Sequence, residues 1–163
     1  MNTTTTTDYT GRQLDVELLQ SITKPAELIP VTVSNVSTPP KLVAGIQKLV
    51  QRYALLLLTN VGEVKFDQEQ GGDLMRLLLE GYVQDVGQLQ YAFAYANDRV
   101  TRMLNEEDIN TDLYVASSPD EQISTATLLD AQVDKVTSTA YLRVYIVSQA
   151  GEDFTFVVPV TRK

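Results

Sequence analysis

Between residues 41 and 59, the apolar positions Leu42, Val43, Ile46, Leu49, Val50, Tyr53, Leu56 and Leu57 recur once per helical turn, which predicts an amphipathic helix. Lys48, Gln51 and Arg52 fall on its opposite, polar side. A Leu-rich run over 73–80 predicts a short second helix. Asp73 would sit in its first turn, where the helix dipole favours a negative charge, and Gly81 is its expected stop. A longer helix is predicted over 85–104, with Val86, Leu89, Phe93, Ala96, Val100 and Met103 as its core stripe. Beyond it the period changes to two. Ile109, Thr111, Leu113 and Val115 alternate with polar residues, and Leu129, Ala131 and Val133 alternate with Asp130, Gln132 and Asp134. Leu142, Val144 and Ile146 alternate with Tyr141, Arg143 and Tyr145; a turn at Gln149-Ala150-Gly151-Glu152 then leads into Phe154, Phe156, Val158 and Val160. Pro159 cannot donate a ladder hydrogen bond, so the last strand is expected at a sheet edge. Helices followed by strands predict an α+β fold, with three helices packed on a small antiparallel C-terminal sheet.

Residues 1–40 read as an extended N-terminal arm ahead of one domain spanning 41–163. Thr3 to Thr7 form a polar run with nothing to bury, expected to be disordered. Leu14, Leu18, Leu19 and Ile22 predict a short helix over 12–23, and Ile29, Val31 and Val33 alternate as a short extended segment. Ser37-Thr38-Pro39-Pro40 marks the boundary, because prolines suit a helix's first turn.

Composition narrows the chemistry. The 163 residues, 44 % hydrophobic and 21 % charged, suit one soluble domain. The longest apolar run, 53–58, is far too short for a membrane span, and the N-terminus has no basic-then-apolar secretory pattern. With no Cys and no His, disulfides, thiolate nucleophiles and Ser-His pairs are excluded, and metals are left only oxygen ligands. The net charge of −8 argues against nucleic acid as a partner. Phosphate-binding glycine loops, dinucleotide fingerprints and EF-hand spacing do not occur, so no cofactor is expected.

Three stretches remain as candidates. The first, "LLLLTNVGEVKFDQEQGGDL", holds Glu63, Asp67, Glu69 and Asp73. A glycosidase needs two carboxylates across a sugar cleft, one of them kept protonated by an apolar pocket. Glu63 with Asp67 or Glu69 would supply the groups, but Phe66 is the lone aromatic platform and a solvated turn needs such residues anyway. No catalytic residue is assigned, and the chain is expected not to be an enzyme. The second is the outer face of the long helix, where Gln88, Tyr91, Tyr95, Asp98, Arg99 and Arg102 lie opposite the core stripe. Tyr and Arg are enriched at binding hot spots, and Arg99 is spaced to stack on Tyr95. Alternatively, this helix lies between the sheet and another helix, with both faces buried. The third is the edge strand carrying Phe154, Phe156 and Val158, whose free backbone groups can accept a partner's strand. Pro159 with Arg162 and Lys163 would blunt that edge instead.

Leu58-Thr59-Asn60-Val61-Gly62-Glu63 closes one apolar helix, Gly72 and Leu74 open the next, and Asn97-Asp98-Arg99-Val100 lies late in the third. This ordered set resembles the small baseplate-wedge, sheath-initiator proteins of contractile phage tails, whose homologues sit in type VI secretion baseplates. That family has a Leu-Thr-x-x-Gly-Glu turn, a loop with glycine, a Leu-rich helix, a longer helix and a C-terminal sheet. It also has a Glu-Pro-Arg motif, of which this chain keeps Arg99 but not the Glu or Pro. Val64-Lys65 replaces the usual Arg after Gly-Glu, and the Pro before the loop glycine is missing. The resemblance implies a structural role, although members have been labelled lysozyme-like. It implies a fold like the sheath subunit's C-terminal domain, which templates the first sheath ring, and a contact from Arg99 to the wedge's helical core bundle. The implied partners are other wedge proteins and the tail sheath protein, with six symmetry-related copies in a virion baseplate assembled in the host cytoplasm. Neither nucleic acid nor membrane is implied. A peptidoglycan hydrolase, a secretion-baseplate subunit and a cytosolic adaptor are the alternatives.

Overall fold

Two of three helices cover one face of a three-stranded antiparallel sheet, and the short one between them packs on the other two, in a computed structural model that describes residues 15–16, 42–109, 117–134, 136–137 and 139–161. The fold is α+β. Helix α1 (Ile46–Leu58) buries Leu49, Val50, Tyr53, Leu56 and Leu57, the stripe that its period specifies. It starts at Ile46, later than the pattern from residue 41 predicts, because Leu42 and Val43 form a strand, β2. Its partner, β1, is Asp15–Val16, antiparallel to it. That pairing corrects the helix expected over 12–23 at Asp15 and Val16; the rest of that stretch lies outside the described residues. The Leu14–Ile22 spacing is helical, but at Asp15 and Val16 the backbone bonds to a distant strand, and tertiary pairing overrides so weak a local preference. Gln51 is corrected too. It is only 1 % exposed, and its Nε2 donates to Asp15 Oδ2 at 3.1 Å, so β1 covers what reads as a polar face. The other arm segments, Thr3–Thr7, Ile29–Val33 and Ser37–Pro40, lie outside the described residues, as do Thr111–Val115, Arg162 and Lys163.

Helix α2 (Leu74–Leu79) is a short connector, ended by Gly81 in the left-handed region at φ 82°. Helix α3 (Val86–Ile109) runs five residues past the expected end. Ile109 is therefore the last helical residue rather than the first of a strand. Leu89, Phe93, Ala96 and Val100 are buried as predicted, whereas Val86 is exposed and Leu104 takes the core position assigned to Met103.

The sheet order is β3 (Ile123–Asp134), β4 (Thr139–Ser148), β5 (Asp153–Thr161). On β4 the alternation holds: Leu142, Val144 and Ile146 are fully buried, and Tyr141, Arg143 and Tyr145 take the half-exposed outer face. On β3 it does not. Leu128 pairs with Val144 but Asp130 with Arg143, so Leu129 is an extra, bulged residue and is 55 % exposed. A bulge switches the parity of everything beyond it, which puts Leu128 and Ala131, rather than Leu129 and Ala131, toward the core. The β4–β5 turn is tighter than the four residues expected. Gly151 N donates to Ser148 O and Ser148 N to Glu152 O, giving a three-residue loop whose left-handed corner is Gly151.

Helix α3 packs on β3, and α1 packs on β4 and β5. Between them runs one polar chain. The Tyr53 hydroxyl, fully buried, donates to Asn97 Oδ1 at 2.5 Å, and Asn97 Nδ2 donates to Ala126 O at 3.2 Å. Burial pushes the phenol well above its ordinary pKa, so it is a permanent donor. The Tyr53 ring meets Phe156 of β5 edge-on at 6.1 Å. Tyr53→Phe keeps the packing and strands the Asn97 oxygen. It should destabilise the protein by about 1–3 kcal/mol in urea titrations, with an unchanged m-value.

Candidate functional site

The loop from Thr59 to Asp73 follows from what α1 and α2 leave unsatisfied at their ends. Thr59 closes α1, its Oγ1 and N–H both bonding to Leu55 O. Asp73 precedes α2 in a left-handed conformation, φ 63°. Asp73 and Asn60 then exchange duties. Asn60 Oδ1 accepts the N–H of Arg76 in the first turn of α2 at 2.8 Å, while Asp73 Oδ1 accepts the N–H of Val61 at 2.9 Å. Glu63 accepts from both the N–H and the side-chain amide of Asn60. Gly72 N donates to Leu56 O and Thr59 O, bringing the loop's end back onto α1. Gly71 is required there, because a Cβ on it would lie 2.5 Å from Thr59 O.

Arg99 ties this loop to α3. Its Nε donates to Gly71 O at 2.9 Å and its Nη2 to Glu69 O at 2.6 Å. Thr59, Glu63, Gly72 and Arg99 are thus parts of one hydrogen-bonded knot, joined through Asn60 and the carbonyls of Glu69 and Gly71. Arg99 spends two of its nitrogens inside the chain rather than standing free for a partner, and it reaches the loop carbonyls rather than stacking on Tyr95. Asp73 is buried within the knot and is 2.6 Å from Arg76 Nη2. Burial alone would raise its pKa. The bonds from Arg76 and Val61, with the charges of Arg76 and Arg99, outweigh that and hold the carboxyl below its ordinary range.

The other acids have plainer surroundings. Glu63, Asp67 and Glu69 are all exposed, and Phe66 beside them stands free of any core. Asp67 Oδ1 accepts from Glu69 N, an ordinary turn bond. The protonated carboxyl of a glycosidase needs an apolar pocket, and neither Glu63, Asp67 nor Glu69 lies in one. Among the described residues no group of three or more carboxylates converges as a metal site would require, and no helix is long and apolar enough to cross a membrane.

On α3, Tyr91 is 77 % exposed, and Tyr95, Asp98 and Arg102 are exposed beside it. The second helix face is therefore open, not sandwiched. Arg102 and Asp98 form an i,i+4 ion pair at 3.3 Å, too solvated to contribute much. The Arg76 guanidinium is raised further above its ordinary range, chiefly by its hydrogen bond and charge interaction with Asp73.

On β5, Phe156 and Val158 are buried in the chain's own core and Phe154 packs against it, so their side chains are not the exposed features of that strand. The backbone is. The Ser148–Glu152 pair is hydrogen-bonded. Stepping along the register makes Tyr145–Thr155, Arg143–Val157 and Tyr141–Pro159 non-bonded pairs. The N–H groups of Thr155 and Val157 therefore point away from β4, and Pro159 sits where a missing N–H costs the ladder nothing. Among the described residues no strand pairs with that edge.

Sequence reasoning missed Asn60, Asn97 and Gln51. Each is a polar residue beside an apolar run, and its partner lies in another element. The chain matches no protein-family model and no curated protein sequence.

Asp73→Asn keeps the left-handed backbone but turns an amide N–H toward Arg76. It should cost about 1–3 kcal/mol at neutral pH. Because folding lowers the Asp73 pKa, the wild-type advantage is complete above the unfolded carboxylate range, roughly pH 4, and is lost as pH falls through the folded value. Urea titrations between pH 7 and 2 should show the two proteins converging on the acid side.

Proposed function

We propose that this chain is a structural subunit of a contractile-tail baseplate wedge, linking the wedge core to the first sheath ring. The observation that carries this reading is the knot itself. Residues matched to the sheath-initiator pattern lie up to forty positions apart, from Thr59 to Arg99, and they converge on one loop: Asn60 bonds Glu63, Gly72 bonds Thr59, and Arg99 bonds the neighbouring carbonyls of Glu69 and Gly71. A pattern whose members converge on one braced loop is harder to produce by coincidence than the same letters scattered over a surface.

In this reading the two exposed features divide the work. The Tyr91, Tyr95, Asp98 and Arg102 face of α3 docks on the wedge, where aromatic and Arg side chains combine contact area with hydrogen bonding. Arg99 supports that face from behind by fixing the loop. The open edge of β5 accepts a strand from the sheath protein, since backbone pairing supplies a docking surface without demanding a particular sequence. Repeated around a tail in six copies, such edges would start a sheath at the baseplate and nowhere else. Location in the virion follows from the same reading.

Val157→Pro tests the edge. It removes an outward N–H and leaves the β4–β5 ladder intact, so the protein should enter baseplates that then carry no sheath. Electron micrographs decide this: sheathed tails containing the mutant protein would overturn the templating role. Hydrolysis is not part of the proposal. Purified protein and Glu63→Gln should both leave peptidoglycan intact, and turnover that disappears in the mutant would favour the hydrolase instead.

A further inference from the structure

Three consecutive turns shape the segment after α1. Glu63 N donates to Asn60 O, Asp67 N to Val64 O, and Gln70 N to Asp67 O. Gly62 N reaches Gln68 O at 3.0 Å and closes the neck of the loop. Its base is bolted to three elements, by Gly72 to α1, by Asp73 and Asn60 to α2, and by Arg99 to α3. Lys65 and Phe66 occupy the two corner positions of the middle turn.

Phe66 does not belong at that corner on local grounds. Turn corners favour Pro, Asn, Asp, Gly and Ser, each for a backbone reason that phenylalanine lacks. At 96 % exposure it contributes no burial either. A single exposed apolar residue on a surface needs no explanation. A bare aromatic ring at the tip of a loop this thoroughly cross-braced is different, because the ordering cost has been met inside the monomer. Preorganisation of that kind is what makes a contact residue effective, since little freedom is left to lose on binding. A local rule broken without gain to the fold is also the mark of a functional position.

We propose that residues 60–73 form a preformed docking knob whose Phe66 inserts into an apolar pocket, rimmed by Lys or Arg, on a partner protein. The charge argument selects the rim. Glu63, Asp67 and Glu69 share the exposed loop with Phe66, with Lys65 as its one cation, and Glu69 makes no side-chain bond or ion pair among the described residues. The same argument disfavours a second copy of this chain as the occupant, because the whole protein carries a net charge of −8. The inference rests on the loop geometry and does not depend on the wedge reading.

The test places a photoreactive benzophenone amino acid at position 66 of the full chain in its native cell, with the same group at Gln68 as control. Cross-linked peptides are mapped, and the captured protein is purified and titrated against wild type, Phe66→Ser and Glu69→Lys. The expected result is one cross-linked site, apolar and bordered by Lys or Arg, with binding weakened at least roughly tenfold by Phe66→Ser and less by Glu69→Lys. Both variants should melt with the wild type, since neither side chain touches the core. Cross-links to copies of this chain or scattered over many surfaces, or binding by Phe66→Ser within twofold of wild type, would overturn the knob. Capture of a wedge or sheath protein supports both readings. Capture of any other protein through such a pocket supports the knob and removes the wedge assignment.

Discussion

A tyrosine hydroxyl buried between two helices must find an acceptor, and the whole helical layer is arranged around that requirement. Leaving it unpaired would cost about 1–3 kcal/mol, a large part of a small domain's stability. Tyr53 on α1 finds Asn97 on α3, and Asn97 passes the demand on to the Ala126 carbonyl of β3. Apolar contacts are tolerant of sliding, but this chain of two bonds is not. It fixes the height of α1 against α3 and the height of α3 against the sheet, and Phe156 against the Tyr53 ring adds β5 to the same point. The Asn97 amide can accept from Tyr53 and donate to a carbonyl at once, which an ionised carboxylate cannot do.

Once α1 and α3 are fixed, the loop between α1 and α2 has little freedom left. Its carbonyls at Glu69 and Gly71 lie where a guanidinium from α3 can reach them, and Arg99 takes both. The charge of Arg99 then helps hold Asp73 ionised, and ionised Asp73 holds Val61 and Arg76. At the other end of α1, the buried Glu121 carboxylate accepts from Gly45 N and Lys48 Nζ and ties the helix N-terminus to the start of the sheet. Buried Asp73 and Glu121 are thus fasteners, and exposed Glu63, Asp67 and Glu69 belong to the turns of one loop. Both roles are distinct from that of a catalytic pair, which needs one carboxyl in an apolar pocket and another facing it.

The helices, the last two strands and the α+β order were legible because each rests on a long periodic run with a single buried face. Elements whose structure depends on a distant partner were not. Asp15 and Val16 carry a helical spacing, and only the pairing with Leu42 and Val43 makes them extended. Leu129 looks like a core residue until the bulge turns it outward, and nothing in Leu128-Leu129-Asp130 announces which residue will be extra. Asn60, Gln51 and Asn97 look like ordinary polar residues because their partners are 16, 36 and 29 to 44 positions away. The candidate surfaces divide in the same way. The Tyr91 and Tyr95 stripe could be read from angular position alone, whereas the occupation of Arg99 required knowing where the loop returns.

The two edges of the sheet show what the chain avoids and what it leaves open. β3 carries two irregularities, at Ser124 and Leu129, and bulges interrupt the row of free backbone groups that another strand would need. β5 pairs without a break from Asp153 to Thr161, and its only interruption is Pro159. An open, regular edge is an aggregation hazard that proteins normally blunt. Here one edge is interrupted at two places and the other at a single residue near its end. Pro159 also lies on the outward parity, so it limits how far an incoming strand can extend while leaving Thr155 and Val157 free to pair. A proline placed to disrupt pairing altogether would serve better in mid-strand. Its position near the end leaves the outward N–H groups of Thr155 and Val157 unobstructed and interrupts the edge only beyond them.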